Sequence, residues 1–303
     1  MTDRIVELAE GPARLSVRLE QLVIERAGAP EVTTPLDELA TLVLSSPHTQ
    51  MTQAVLHTIA AKGGMVVVCD EHYLPAAMML PLQAHHVQTE RFALQAQLSE
   101  PRRKRLWQQL AQAKIWAQSR LLKELHGDDS GIGALAERVR SGDPENVESQ
   151  AARRYWPVLF GDPKFRRQRE REDQNRHLNY GYTVLRAAVA RAICGAGLHP
   201  SFGLQHRNRY DAFSLASDFM EPFRPLVDRA VALWLREHDP LQSLDREAKA
   251  HLIGAIQARY LADGEARTLP DILARSAASL AGVILGEQEK LDLPQPGAPC
   301  ADG

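Results

Sequence analysis

The spacing of apolar residues changes once along this chain, near Pro81, and that change limits the fold to two dissimilar parts. Before Pro81 the apolar residues come in short alternating or continuous runs of strand length. Arg14 to Arg26 (RLSVRLEQLVIER) reads as two alternating pieces broken near Glu20-Gln21, as in a hairpin. Leu36 to Leu44 ends in an apolar run, and Met65 to Asp70 (MVVVCD) reads as a short buried strand. Between them, Ser46-Pro47 predicts a helix start, because a serine hydroxyl accepts from free amides and proline suits the first turn. Gly63-Gly64 predicts its end. From Gln83 onward the spacing is helical. Leu106, Leu110, Ala113, Trp116 and Ala117 mark one long helix over Glu100 to Leu125. Asp143 as N-cap and Pro144 at the first position predict the next helix, and LNYGYTVLRAAVARAICGAG predicts a third. Further helices follow to about Gly286. The expected fold class is α+β. A small, mostly β N-terminal domain spans 1–82, a larger all-α-helical domain spans 83–286, and a Pro/Gly-rich tail over 287–303 is expected to be disordered.

Composition narrows the class further. A chain of 303 residues with 44% apolar content can bury a real core. The formal net charge of −2 means that any nucleic-acid contact must come from local patches. Two such patches exist. Arg102, Arg103, Lys104 and Arg105 open the first long helix; Lys164, Arg166, Arg167, Arg169 and Arg171 follow the Glu148 helix, interleaved with Glu170, Glu172 and Asp173. The plain reading of such runs is a solvated face. The functional reading is phosphate contact, which positions DNA without reading its sequence. Arg186 is a further candidate for phosphate contact, ahead of Arg191. Trp107 and Trp116 read as core, and His85-His86 as a polar linker. Cys69, Cys194 and Cys300 are scattered and odd in number, which fits a reducing cytoplasm better than a disulfide framework. The N-terminus lacks signal-peptide character, and no apolar stretch reaches the roughly 18 residues that span a bilayer. A cytoplasmic protein with no membrane contact is expected.

One residue raises a chemical question. Glu221 ends an apolar run and directly precedes a proline, yet a carboxylate out of water is costly unless paired or metal-bound. Pro222 has no amide to give the Asp218 carbonyl, and Pro225 has none for the Glu221 carbonyl. An irregular helix with free carbonyl oxygens beside two acids is expected there. Such a place suits Mg²⁺ or Mn²⁺, with one imidazole tolerated by Mn²⁺. Glu148, on the side of its helix that carries Ala151, Ala152 and Tyr155, and His206 are candidate co-ligands. Each has an ordinary reading when taken singly. Glu148 could serve the helix dipole, His206 could be a hydrogen-bonded surface residue, and Glu221 could pair with Arg224 or Arg229. The three do not form a local ligand motif.

The segment Leu178 to Asp228, together with NVESQAARRYWPVLFG (Asn146 to Gly161), resembles the CRISPR-associated integrase family, the core protein of CRISPR adaptation. The DFMEPFRP form, with glutamate where many relatives carry aspartate, resembles the branch found in type II systems. The resemblance implies a catalytic metal site of Glu148, His206 and Glu221 holding Mg²⁺ or Mn²⁺, although relatives often read HH where this chain has Gln205-His206. Asp218, three residues before Glu221 and so on roughly the same helix face, is expected as a supporting carboxylate behind those ligands. The resemblance also implies DNA strand transfer, in which the 3′-hydroxyl of a short duplex attacks a phosphodiester at a repeat boundary. The implied partners are double-stranded DNA, a second copy of the chain through the β domain, a small ferredoxin-like adaptation protein, and the RNA-guided effector nuclease of type II systems. Two other readings stay open on the residues alone: a DNA-binding assembly subunit with a vestigial metal site, and a stand-alone repair nuclease acting on branched DNA.

Overall fold

The computed structural model of the protein describes residues 4–9, 11–70, 75–81, 84–205, 210–294 and 296–300. The N-terminal part contains β1 (Arg4–Leu8), β2 (Ala13–Arg18), β3 (Gln21–Glu25), β4 (Val32–Pro35), β5 (Leu39–Leu44), β6 (Thr49–Met51), α1 (Gln53–Ala61), β7 (Met65–Cys69) and β8 (Pro75–Met79). These strands form two four-stranded sheets, ordered β4-β3-β2-β6 and β1-β5-β7-β8. The β2–β3 hairpin turns at Leu19 and Glu20, both with positive φ, at the break the alternation marks. All six residues of β5 are buried, as a parallel strand between β1 and β7 requires. Leu15, Leu22, Leu42, Val55 and Ile59 fill the core between the sheets and α1.

The helix start differs from the expectation. The Ser46 hydroxyl donates to the Gly11 carbonyl at 2.7 Å instead of capping a helix. Residues 49–51 then pair in parallel with β2, and α1 begins only after Thr52. The edge of β2 left open by the hairpin offers backbone partners at that point, and residues 49–51 take them.

The second part contains α2 (Gln88–Ala96), α3 (Glu100–His126), α4 (Gly133–Ala136), α5 (Val147–Leu159), α6 (Asn175–Gly195), α7 (Ser214–Phe219), a 3₁₀ turn (Glu221–Phe223), α8 (Arg224–Trp234), α9 (Arg246–Gln257), β9 (Arg259–Ala262), β10 (Glu265–Thr268) and α10 (Leu269–Leu285). Helix α6 lies at the centre, against α7, α8, α9 and α10. It approaches α8 closely because Gly181 has no side chain; a methyl group there would collide with Val227. No helix among the described residues is long and apolar enough to cross a membrane.

Three expectations for this part need correction. It is not all-α: β9 and β10 form an antiparallel hairpin, turned at Asp263 and Gly264, both with positive φ. The tail is not free of structure over its described residues. The Gly297 amide donates to the Leu261 carbonyl (3.0 Å) and the Cys300 amide to the Arg259 carbonyl (2.8 Å), so the open edge of β9 gains a neighbour. Leu291 and Leu293 pack on the main core. Trp107 is buried as expected, but Trp116 is 39% exposed, because the buried stripe of α3 runs through Leu106, Leu110, Lys114 and Gln118 instead.

Helix α6 also buries His177, at 1% exposure, and neither ring nitrogen has a hydrogen-bond partner among the described residues. Burial pushes its pKa down to about 4. An imidazole that protonates more readily unfolded than folded costs stability as pH falls below its unfolded value of about 6.5, until the folded value is passed. Replacing it should remove that cost. His177→Phe should lose about 2 kcal/mol less stability than the parent chain between pH 6.5 and 5, read from urea unfolding midpoints. Equal losses in both proteins would contradict this account of His177.

Candidate active site

Three helical segments carry carboxylates or a cation to one point. On α3, Lys114 stands four residues after Leu110 and three before Ala117, so it shares the buried stripe, and its side chain is only 10% exposed. On α5, Val147, Ala151 and Tyr155 form the buried face, with Glu148 beside it in the first turn. Asp143 was expected as the N-cap with Pro144 opening the helix. Instead α5 starts at Val147, and Asn146 bends the chain with a φ of 54°. Asp143 still does the capping chemistry from the preceding loop. Its carboxylate accepts from the Val147 amide at 2.8 Å and the Glu148 amide at 2.9 Å, which fixes the turn that carries Glu148.

The third segment is broken as the prolines require. Helix α7 stops at Phe219, a 3₁₀ turn covers Glu221–Phe223, and α8 starts afresh at Arg224. The Glu221 carbonyl is not free, contrary to expectation: it accepts from the Arg224 amide, while the Met220 amide donates to the Ala216 carbonyl at 3.0 Å. The groups that meet a cation there are side-chain carboxylates.

The Lys114 ammonium contacts a Glu148 oxygen and, at 2.6 Å, Oε2 of Glu221. Arg224 takes the other Glu221 oxygen at 2.9 Å. Arg229, the alternative partner considered for Glu221, pairs with Glu124 at 2.7 Å. Burial pulls the Lys114 pKa down, but Glu221 and Glu148 more than offset it, so the group lies above the ordinary lysine value and is charged.

Beneath these groups is a buried polar floor. Asp228 on α8 accepts from the Tyr155 hydroxyl at 2.8 Å and from the Tyr182 hydroxyl. Burial raises the Asp228 pKa to about 6, and the two tyrosine hydrogen bonds act against a larger rise. The Tyr182 ring holds two guanidinium groups, Arg224 at 4.8 Å and Arg167 at 5.4 Å from its centre. Arg167 also donates to Asn175 at 2.9 Å and Asn179 at 2.6 Å. An open cleft of about 490 Å³ lies over this floor, lined by Lys114, Glu148, Glu221 and Arg224 with Arg167 and Arg186.

Of the expected site residues, Glu148 and Glu221 therefore come together, and Arg167 and Arg186 share their cleft. His206 lies outside the described residues. Asp218, fully buried, accepts from the Leu204 amide (2.7 Å) and the Gln205 amide (2.8 Å). It thus fixes the backbone immediately before His206. The other basic candidates stand apart. Arg166 donates back to the Pro163 and Phe165 carbonyls of its own loop. Arg102 donates to the Val283 carbonyl at the end of α10, and Lys104 pairs with Glu100. Arg103 and Arg105 share that first stretch of α3, at least about 13 Å along the helix from Lys114 at 1.5 Å per residue. Arg191 donates to the Gly63 carbonyl of the N-terminal part. Lys114 was missed. Its signal is a lysine at the Leu110–Ala117 spacing, where an apolar residue would be expected.

The donor set suits a divalent cation. Two carboxylate oxygens that reach one ammonium nitrogen can reach one metal ion, and both are hard oxygen ligands. Among the described residues no group of three or more His, Cys, Asp or Glu side chains is arranged to hold a metal, so the pair would need a ligand such as His206 or water.

The fold recurs in solved structures. A casposase bound to integration product superposes with a TM-score of 0.82 at 19% identity, covering 97% of this chain and 94% of that one. A chain of a Cas6-RT-Cas1–Cas2 complex superposes with a TM-score of 0.74 at 19% identity, covering 97% of this chain and 36% of the other. These likenesses define the architecture. The sequence defines the family: residues 8–251 match the family described as CRISPR associated protein Cas1. The CRISPR-associated endonuclease Cas1 of Neisseria meningitidis serogroup C (strain 8013) is 36% identical over 292 residues, 95% of each chain. The chain belongs to the Cas1 family.

The Asp218 anchor is directly testable. Asp218→Ala strips the buried Leu204 amide and the part-buried Gln205 amide of their acceptor, a loss of about 1–3 kcal/mol for the buried group. Hydrogen–deuterium exchange in a peptide covering 203–205 should accelerate in the variant while α6 stays protected. Unchanged exchange there would show that the carboxylate does not hold this loop.

Proposed function

We propose that this chain is a metal-dependent DNA endonuclease and integrase of CRISPR adaptation, which joins 3′-hydroxyl ends of short DNA fragments into a repeat array. The observation that carries the reading is the convergence of Glu148 and Glu221 on one cation position, at the floor of a cleft walled by arginines. Mg²⁺ or Mn²⁺ bound there, with His206 completing the ligand set, would supply charge stabilisation at the phosphate and activate the attacking hydroxyl. The protein's own residues have separate tasks. Glu148 and Glu221 hold the cation. Arg167 and Arg186 face the cleft and neutralise phosphate charge on the approaching strand. Arg224 grips Glu221 and, stacked on Tyr182, keeps that carboxylate aimed at the cleft. In the step itself the 3′-oxygen bonds to phosphorus as the existing phosphorus–oxygen bond breaks. One phosphodiester replaces another, so no covalent protein intermediate is needed.

The family and the fold support the assembly as well. The expected partners are double-stranded DNA, a second copy of the chain through its N-terminal strands, a small ferredoxin-like adaptation protein, and the RNA-guided effector nuclease of a type II system. A chain that shares this fold belongs to a Cas6-RT-Cas1–Cas2 complex, which supports a protein partner for this chain. We place this activity in the cytoplasm.

One observation favours a second reading. Lys114 already neutralises both carboxylates, as a vestigial site in a DNA-binding assembly subunit would allow. A strand-transfer assay separates the two. It uses short duplexes with free 3′-hydroxyls, a repeat-bearing plasmid, the adaptation partner, and Mg²⁺ or Mn²⁺ against EDTA. Joining should require metal and fall by about a hundredfold or more in Glu148→Ala, a barrier change near 2.7 kcal/mol. DNA binding without joining under either metal would favour the assembly subunit.

A further inference from the structure

The Lys114 ammonium sits where the proposed metal would sit. It contacts Glu148 and Glu221 together, and Arg224 covers the remaining Glu221 oxygen. Two part-buried carboxylates brought this close repel unless a cation lies between them. Lys114 is that cation here. A divalent ion bound through the same oxygens would meet a like charge at contact distance, so the two cannot share the position. The lysine has the means to leave. Its charge ends a flexible four-carbon stem, and it opens onto the cleft that Arg167 and Arg186 line.

We propose that Lys114 is a positioning residue that holds the site open for its metal by occupying the metal's place: its ammonium clamps Glu148 and Glu221 together when no metal is bound and is exchanged for the metal on loading. This rests on the metal-dependent reading given above. In the metal-free protein the carboxylates then stay preset and the site is ordered without its ion. The competition weakens metal binding, so loading depends on the cation concentration. The displaced ammonium is released toward the cleft, where it adds one positive charge to the surface that meets DNA phosphate.

Manganese binding, followed by the loss of the free Mn²⁺ electron paramagnetic resonance signal, tests the exchange without relying on activity. Lys114→Met removes the competing charge and keeps most of the side-chain volume. It should bind Mn²⁺ about tenfold or more tightly than the parent chain. Lys114→Arg should stay near the parent, and Glu148→Gln should bind weakly. Equal or weaker binding by Lys114→Met, with binding still lost in Glu148→Gln, would overturn the exchange and leave the metal site standing. Binding that ignores Glu148→Gln, or no binding at all, would overturn the metal reading and the exchange with it. Lys114→Met leaves two carboxylates without their cation and could fail to fold without metal, so a second measurement uses the parent protein. Acetylation of Lys114 by a succinimidyl ester, followed by mass spectrometry, should accelerate severalfold when Mn²⁺ is added. An unchanged rate would contradict displacement.

Discussion

Two carboxylates from separate helical segments are held against one ammonium, and the geometry of the candidate site depends on that contact. Glu148 comes from α5, Glu221 from the turn before α8, and Lys114 from α3. None of the three would be tolerable alone at this burial, because a part-buried charge without a partner is strongly destabilising. Together they satisfy one another. Their charges also make the point where they meet a place for a cation.

The surrounding structure can be read as the means of keeping that contact in register. Asp143 fixes the first turn of α5, and Pro222 and Pro225 break the helix so that Glu221 turns inward. The small size of Gly181 lets α6 and α8 approach closely enough for Tyr182 to meet Asp228 and to stack under Arg224. Asp218 ties down the Leu204–Gln205 backbone. The hydrogen bonds among these contacts go to carboxylates, and charge-assisted bonds are stronger than neutral ones. The exposed basic runs are a different matter. Arg102 and Lys104 make their contacts away from the cleft, whereas Arg167 and Arg186 line it.

Much of this was legible in the sequence, for reasons that differ by residue. The β2–β3 hairpin, the buried β7 strand and the break at Pro222 follow from alternation and proline chemistry, which act locally. Glu148 and Glu221 were legible through family resemblance, since nothing in their spacing links them. What was not legible depends on partners distant in the chain. Ser46 looked like a cap until the open edge of β2 took the following residues. The tail looked unstructured until β9 offered it an edge. The β9–β10 hairpin had a local signal, the Asp263-Gly264 turn, which the surrounding helical spacing obscured. Lys114 carried the most informative signal of all. A lysine on an apolar stripe implies a buried counter-charge, and here it implies two.

The convergence of Glu148 and Glu221 should hold a divalent metal. Crystals of the protein soaked in Mn²⁺ and measured at the manganese absorption edge test it directly. One anomalous peak is expected, bonded to both carboxylates at about 2.0–2.3 Å, with an imidazole or water completing the shell. No peak between these carboxylates at saturating Mn²⁺, with Lys114 still bridging them, would contradict it.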